Sequence, residues 1–134
     1  MADSNPWRTS ADTGWVTSVT IDCADPEALA QFWGRLLGLP VCPRRSRYVA
    51  LRRPPTTTPE LVFQPVPEPK RGKARLHLDI AVTDLPAATS RALELGASIA
   101  DGFDDEGEGD GTLRVMRDPE GNEFCLIHRA DGQP

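Results

Sequence analysis

The fold of this chain is decided by a stretch that occurs twice, Ser18-Val-Thr-Ile-Asp-Cys-Ala-Asp25 and His77-Leu-Asp-Ile-Ala-Val-Thr-Asp84. The two copies align without a gap, and apolar and polar residues alternate in each with the period of a half-buried β-strand. Each copy is therefore predicted to form a strand with one apolar face and one polar face. In the first copy the apolar face consists of Val19, Ile21 and Cys23, and the opposite face of Ser18, Thr20 and Asp22. In the second copy the apolar face consists of Leu78, Ile80 and Val82, and the opposite face of His77, Asp79 and Ala81.

A helix is predicted after each strand. Asp25 and Asp84 are suitable N-caps, because an aspartate side chain accepts hydrogen bonds from the free N–H groups at a helix start. Pro26 suits the first helical position, where no N–H is needed. Apolar residues then recur at helical spacing as far as Gly38 and Gly96, which favour the left-handed conformation that ends a helix.

Three short strands are predicted after each helix. They are placed near residues 41–43, 47–52 and 60–66 in the first unit, and near 98–101, 112–117 and 123–128 in the second. Each unit is therefore β-α-β-β-β, and the fold class is α+β. One unit alone leaves a sheet face uncovered, so residues 1–134 are expected to form a single domain with modules at about 15–67 and 74–128. Residues 1–13 and 130–134 are expected to be loosely held ends.

Composition and charge exclude several classes of function. The net charge of −5 disfavours a nucleic-acid surface, which depends on Lys and Arg. No apolar run approaches the roughly 20 residues of a membrane span, and residues 1–10 show no secretory signal. Three cysteines without CxxC spacing argue against a disulfide framework. We therefore expect a cytoplasmic protein that binds neither nucleic acid nor membranes.

Five short motifs carry a family resemblance: Asp22-Cys-Ala-Asp-Pro26, Phe32-Trp33, Leu37-Gly38, His77-Leu-Asp-Ile80 and Arg117-Asp-Pro-Glu-Gly-Asn-Glu-Phe-Cys-Leu126. Together with the repeat, they resemble the vicinal oxygen chelate superfamily, which includes glyoxalase I, bleomycin-resistance proteins and extradiol dioxygenases. Within it the chain is most similar to the glyoxalase-like domains of bacteria. The resemblance covers roughly residues 15–128, and the last motif is the most specific.

The resemblance implies one curved, barrel-like mixed sheet around a shared cavity, with the helices outside, and it makes a homodimer plausible. Relatives that use a metal hold it with four side chains, which correspond here to Ser18, Gln64, His77 and Cys125. Only His77 and Cys125 are strong donors, whereas working sites carry mostly His and Glu. We therefore predict no metal and no cofactor, and a metal-dependent glyoxalase I or dioxygenase activity is disfavoured.

Several side chains are candidates for binding a ligand in the implied cavity. His77 is the best catalytic candidate, because its pKa suits proton transfer at neutral pH, although a hydrogen-bonded lining residue is the plainer interpretation. Asp79 is expected beside His77, and Cys125 is expected to be a buried, inert thiol. The acidic stretch 101–110 is interpreted as a solvated loop that could cover the cavity. The predicted binding set is Ser18, Thr20, Asp22, Tyr48, Gln64, His77, Asp79, Arg114 and Cys125.

Three classes of function remain open from the sequence. The preferred one is a glyoxalase-like protein that binds a small organic molecule between the two modules without the family metal. The first alternative is a lyase or isomerase of the same superfamily, with His77 as a base or metal ligand. The second is a protein whose cavity is vestigial and whose role is association. Whether the chain is an enzyme is left open.

Overall fold

A computed structural model describes residues 11–55, 58–100 and 113–130 of this chain. Within these ranges, two helices and seven strands follow the predicted order of two repeated units, which confirms the α+β class. They are β1 (Ser18–Cys23), α1 (Pro26–Leu37), β2 (Val49–Ala50), β3 (Glu60–Pro65), β4 (Asp79–Val82), α2 (Leu85–Leu95), β5 (Ser98–Ile99), β6 (Leu113–Arg117) and β7 (Glu123–His128). The predicted cover over the cavity, residues 101–110, lies outside the described residues, as do residues 1–10 and 131–134 of the two ends.

The described strands form two separate sheets, which corrects the expectation of one continuous curved sheet. In the first unit the order is β1-β3-β2, with β1 parallel to β3. In the second unit the order is β4-β7-β6-β5, with β4 parallel to β7. The main-chain hydrogen bonds of β1 and β4 are made within their own units, so these two strands are the facing edges of two sheets rather than neighbours in one.

The short strands after α1 are the least regular part of the first unit. The predicted strand at 41–43 is wrong: Val41 forms only an isolated bridge to Leu51, and a second bridge joins Arg45 to Tyr48. Pro40 precedes this segment and Pro43 is its last residue, and neither has an N–H to extend a ladder. The predicted strand at 47–52 shortens to β2, which pairs antiparallel with Val62 and Phe63 of β3.

Both helices begin and end as the sequence predicts. The Asp25 carboxylate accepts a hydrogen bond from the N–H of Ala28 at 3.1 Å, and Asp84 accepts one from Ala87 at 3.0 Å. Each helix ends at a glycine with positive φ, 69° at Gly38 and 117° at Gly96.

Among the described residues, no helix has the length and apolar character needed to cross a bilayer.

One hydrophobic core contains residues of both units. Phe32 and Trp33 from α1 meet Phe124 from β7, with ring centroids 4.9 to 6.1 Å apart. Trp33 and Phe124 are almost fully buried, and buried side chains of α2 and the β6 strand belong to the same cluster. This aromatic contact fixes the first helix against the last strand and thereby sets how the edges of the two sheets face each other.

Candidate functional site

The polar face of unit one carries a hydrogen-bonded pair. Asp22 on β1 and Gln64 on β3 are register partners, and Gln64 Nε2 donates to Asp22 Oδ1 at 3.0 Å. Val19 and Ile21 on the opposite face pack against the core, so the predicted alternation of β1 is observed. The amide nitrogen of Gln64 is consequently engaged by a carboxylate of its own unit.

The polar face of unit two carries a cluster of three different side chains. His77 Nε2 lies 3.2 Å from Asp79 Oδ1, and Asp79 is the register partner of Cys125. One potential donor atom from each of the three lies within 4.8 Å of the others. Cys125 is buried, whereas the side chains of His77 and Asp79 are 45% and 53% exposed. The structure therefore brings together His77, Asp79 and Cys125.

The strand register shows that Gln64 and Cys125 do not occupy equivalent positions. Thr20 and Asp79 are equivalent positions of the repeat, and their register partners are Val62 in unit one and Cys125 in unit two. Val62 is therefore the residue equivalent to Cys125. Gln64 therefore lies one pleat further along its strand than Cys125 does. The four positions implied by the resemblance also include the hydroxyl of Ser18, a weak donor, and the neutral amide of Gln64. This set does not fit a metal held by four strong ligands.

Burial makes two of the thiols poor nucleophiles. Burial raises the pKa of Cys125, and the nearby charge and hydrogen bond of Asp79 raise it further. Burial, followed by the charges of Glu120 and three aspartates, raises the pKa of Cys23 to about 11. With these raised pKa values, both side chains are protonated at neutral pH. They are therefore unreactive as nucleophiles, because the thiolate is the reactive form of cysteine.

A cavity of about 390 Å³ lies between β1 and the start of β4. Its walls are mainly apolar, and both units contribute to them. The apolar lining is Val19, Ile21, Trp33, Ala74, Leu76, Leu78 and Phe124, and the polar lining is Thr20, His77, Asp118, Asn122 and Glu123. Of the nine predicted binding residues, Thr20 and His77 line this cavity. No sequence pattern identified the apolar walls, because Val19, Ile21 and Trp33 are also ordinary core residues.

One of the polar lining residues, Glu123, is held in an ion pair within the protein. The Glu123 carboxylate lies 3.1 Å from Lys70 Nζ and accepts a hydrogen bond from the N–H of Ala74. Burial alone would raise the pKa of Glu123, but the hydrogen bonds from Lys70 and Ala74 outweigh it and the net shift is downward. An ionised, paired carboxylate of this kind is a poor general base. Glu123 therefore serves as the partner of Lys70 and not as a free carboxylate.

The most specific family motif holds the two units together. Asp118 Oδ2 accepts a hydrogen bond from the buried Trp33 Nε1 at 3.0 Å. The carboxylate of Glu120 accepts hydrogen bonds from the N–H groups of Ala24 and Asp25 at 2.7 and 2.8 Å. The turn between β6 and β7 is therefore bonded to the first helix and to the residue before its cap. These contacts are structural.

Tyr48 and Arg114 lie away from both the cluster and the cavity. Tyr48 is 40% exposed in the Arg45–Tyr48 hairpin, with Arg47 Cζ 5.9 Å from its ring centroid. Arg114 pairs with Leu126, whose side chain is in the core, whereas Cys125 belongs to the opposite face of β7. Arg114 lies two residues from the buried Met116, so it belongs to the same face of β6 as Met116 and not to the face that carries Cys125.

Paired β-α-β-β-β units with helices packed into one core define the class of the vicinal oxygen chelate proteins. The family model described as a glyoxalase-like domain matches residues 18–127, and the chain belongs to this family. No curated protein sequence matches the chain.

Solved structures show the same fold at low sequence identity. A glyoxalase/bleomycin resistance protein/dioxygenase family enzyme from Burkholderia phytofirmans PsJN is 18% identical, with a TM-score of 0.65 over 84% of this chain and 96% of that one. A glyoxalase/bleomycin resistance protein from Albidiferax ferrireducens T118 is 21% identical, with a TM-score of 0.59 over 84% and 97%. The fosfomycin resistance protein FosX from Listeria monocytogenes is 10% identical, with a TM-score of 0.65 over 87% and 92%.

Proposed function

We propose that this chain binds a small organic molecule in the cavity between β1 and β4, without the four-ligand metal of its relatives. The cavity carries the proposal: its volume of about 390 Å³ falls within the range of roughly 300–1,000 Å³ typical of ligand sites. Both sheets and the first helix contribute to it, so its shape is set by the packing of the two units.

The lining indicates the chemistry of the ligand. Asp118 and Glu123 are engaged by Trp33, Lys70 and Ala74, so they offer a ligand little free hydrogen-bonding capacity. The Asn122 amide nitrogen is likewise engaged, because it donates to the Asp118 carboxylate. Thr20 and His77 are then the polar side chains that can meet a ligand. We infer a largely apolar molecule with one polar end, held by dispersion and the hydrophobic effect and oriented by His77.

Leu76 offers a direct test of this site. It lines the cavity, yet 91% of its surface is exposed, so Leu76→Ser should remove ligand contact without disturbing the core. Leu93→Ser on α2, where the side chain is 43% exposed and outside the cavity lining, is the matched control. Anilinonaphthalene sulfonate fluorescence and a panel of small carbonyl, aromatic and antibiotic compounds provide the probes.

Saturable binding is expected to stabilise the wild-type protein by about 2.7 kcal/mol at a hundred times the dissociation constant. Leu76→Ser should weaken this binding and Leu93→Ser should not. The proposal is overturned if neither the dye nor any compound binds saturably, or if both variants weaken binding equally.

We further propose that the protein is a homodimer of the cytoplasm. The three cysteines are free, as expected in a reducing compartment. Trp15 and Val16, which lead into the edge strand β1, are 52% and 64% exposed, and a second subunit would cover such side chains. Native mass spectrometry at several concentrations tests the dimer, and a monomer at every concentration would contradict it.

A further inference from the structure

We propose that unit two alone binds a soft divalent cation of the Zn²⁺ class through His77, Asp79 and Cys125. His77 and Cys125 are two of the four positions that the family resemblance implies, whereas Asp79 is not among them and unit one contributes no ligand. The inference rests on the geometry of the cluster and does not depend on the proposed small-molecule function.

The donor atoms are the right kind for such an ion. Zinc is held by imidazole nitrogen and carboxylate oxygen at about 2.0–2.2 Å and by thiolate sulfur at about 2.3 Å. Ligand atoms on a tetrahedral ion are consequently separated by roughly 3.3–3.8 Å. His77 Nε2 and Asp79 Oδ1 already lie 3.2 Å apart, and all three donors lie within 4.8 Å of one another. The donor atoms therefore already lie close to the spacing that a tetrahedral ion requires.

The backbone around the cluster is well fixed. Cys125 lies on β7, which pairs with β4 on one side and with β6 on the other. Its N–H donates to the carbonyl of Leu78 at 2.9 Å, between the other two ligands in sequence. The exposed side chains of His77 and Asp79 are free to adjust to an ion, whereas the buried thiol defines its position.

The charges of the cluster suit a divalent ion. The thiol of Cys125 is protonated in the free protein, so the bound ion must displace its proton to solvent. The resulting thiolate and the Asp79 carboxylate together neutralise two positive charges, and the imidazole can bind as a neutral donor. Lys73 also acts electrostatically on Cys125, but from outside the three-residue cluster. Three protein ligands leave one coordination position open, as in zinc sites that also bind a small molecule. Because His77 also lines the cavity, this position would lie at the cavity edge.

Cobalt(II) is the probe for this site, because a thiolate ligand gives it an intense charge-transfer absorption. The untagged protein, dialysed against chelator, is titrated with Co²⁺ and then with Zn²⁺ as a competitor. We expect one Co²⁺ per chain, a thiolate band, and full displacement by Zn²⁺. Cys125→Ser should abolish the band, and Asp79→Asn or His77→Ala should weaken Co²⁺ binding at least about tenfold.

His128→Ala is the matched control, since His128 is the second histidine of the chain and lies exposed at the end of β7 outside the cluster. This variant should bind Co²⁺ like the wild type. Circular dichroism establishes that Cys125→Ser is folded, and native mass spectrometry of each variant counts bound metal independently of the band. The proposal is overturned if the wild type takes up no stoichiometric Co²⁺, or if Cys125→Ser keeps the thiolate band.

The small-molecule panel is measured separately in chelator. Ligand binding without Co²⁺ binding would refute only the cation site, and Co²⁺ binding without ligand binding would refute only the proposed cavity function.

Discussion

Asp118 is 3% exposed, and its carboxylate is surrounded by hydrogen-bond donors. It accepts bonds from the Trp33 indole, from the backbone N–H groups of Glu120 and Asn122, and from the Asn122 side chain. One side chain therefore holds the β6–β7 turn in shape and anchors the first helix to it. This explains physically why an aspartate is needed at this point of the motif.

Replacing Asp118 by alanine should lower the free energy of unfolding by about 3 kcal/mol, because several hydrogen bonds are lost and a buried indole N–H is left without a partner. Urea unfolding measures the change. Trp33→Phe removes the indole N–H, so Asp118→Ala should cost less in that background than in the wild type. Equal costs in the two backgrounds would show that the Trp33–Asp118 bond contributes nothing.

Cys23 should resist alkylation in the folded protein. With its pKa raised to about 11, only about one thiol in a thousand is ionised at pH ~8. Cys42 is only half-buried, so iodoacetamide should modify it well before Cys23. Peptide mapping by mass spectrometry follows the two rates, and unfolding in urea should make them similar. Comparable rates in the native protein would contradict the burial of Cys23.

At the scale of the elements, α1 contains one glycine that its neighbours require. A Cβ at Gly34 would lie 2.7 Å from the carbonyl oxygen of Leu39, the first residue after the helix cap. The Leu39 N–H also donates to the carbonyl of Gly34 at 2.8 Å. The chain therefore turns back against the helix at a place where only glycine leaves enough room.

Gly34→Ala should lower the melting temperature, because overpacking costs about 1–3 kcal/mol and exceeds the gain of about 1 kcal/mol that alanine brings to a helix interior. Gly14→Ala is the control, since a Cβ there meets nothing within 4 Å. Differential scanning calorimetry compares the two variants. A Gly34→Ala protein more stable than the wild type would show that Leu39 moves aside at little cost.

The elements were predictable where their causes are local. Asp25, Asp84, Gly38 and Gly96 act on groups a few residues away, so the helix boundaries follow from the sequence alone. The alternation that exposes His77 and Asp79 is likewise local. The separation of the two sheets was not predictable, because it depends on which edge of β1 finds a partner far along the chain. The equivalence assumed for Gln64 and Cys125 failed for the same reason, since strand register is a long-range property.

At the scale of the whole molecule, the linker between the units is tied to the last strand. Lys70 and Ala74, one on each side of the turn at Gly72, both bond to Glu123. The Glu123 side chain is 7% exposed, so this contact is sheltered from solvent. The linker is therefore held against unit two at both ends of its turn.

The pKa of Glu123 lies below its ordinary value of 4.5 in the folded chain. A carboxyl group whose pKa is lowered by folding contributes its full stabilisation at pH values above the ordinary pKa. This stabilisation is lost as the pH falls through the pKa of the folded state. Glu123→Gln should therefore lower the free energy of unfolding by about 2 kcal/mol at pH ~7 and by progressively less toward pH ~3. Urea unfolding across this range provides the measurement.

Glu94→Gln, an exposed residue of α2, is the control and should show no such pH-dependent difference from the wild type. A Glu123→Gln protein whose deficit stays constant from pH ~7 to pH ~3 would show that packing, and not the ion pair, makes the contribution.

The contact between Glu120 and the start of α1 has a consequence for how the protein is made. Glu120 follows Asp25, whose N–H it binds, by 95 positions. Ribosomes add about 5–20 residues per second, so the start of this helix waits roughly 5–20 seconds for its partner. Phe124, which covers Phe32 and Trp33, is synthesised later still. The nascent first unit therefore leaves the ribosome with Phe32 and Trp33 not yet covered by Phe124, and this apolar surface is buried only when translation reaches the second unit.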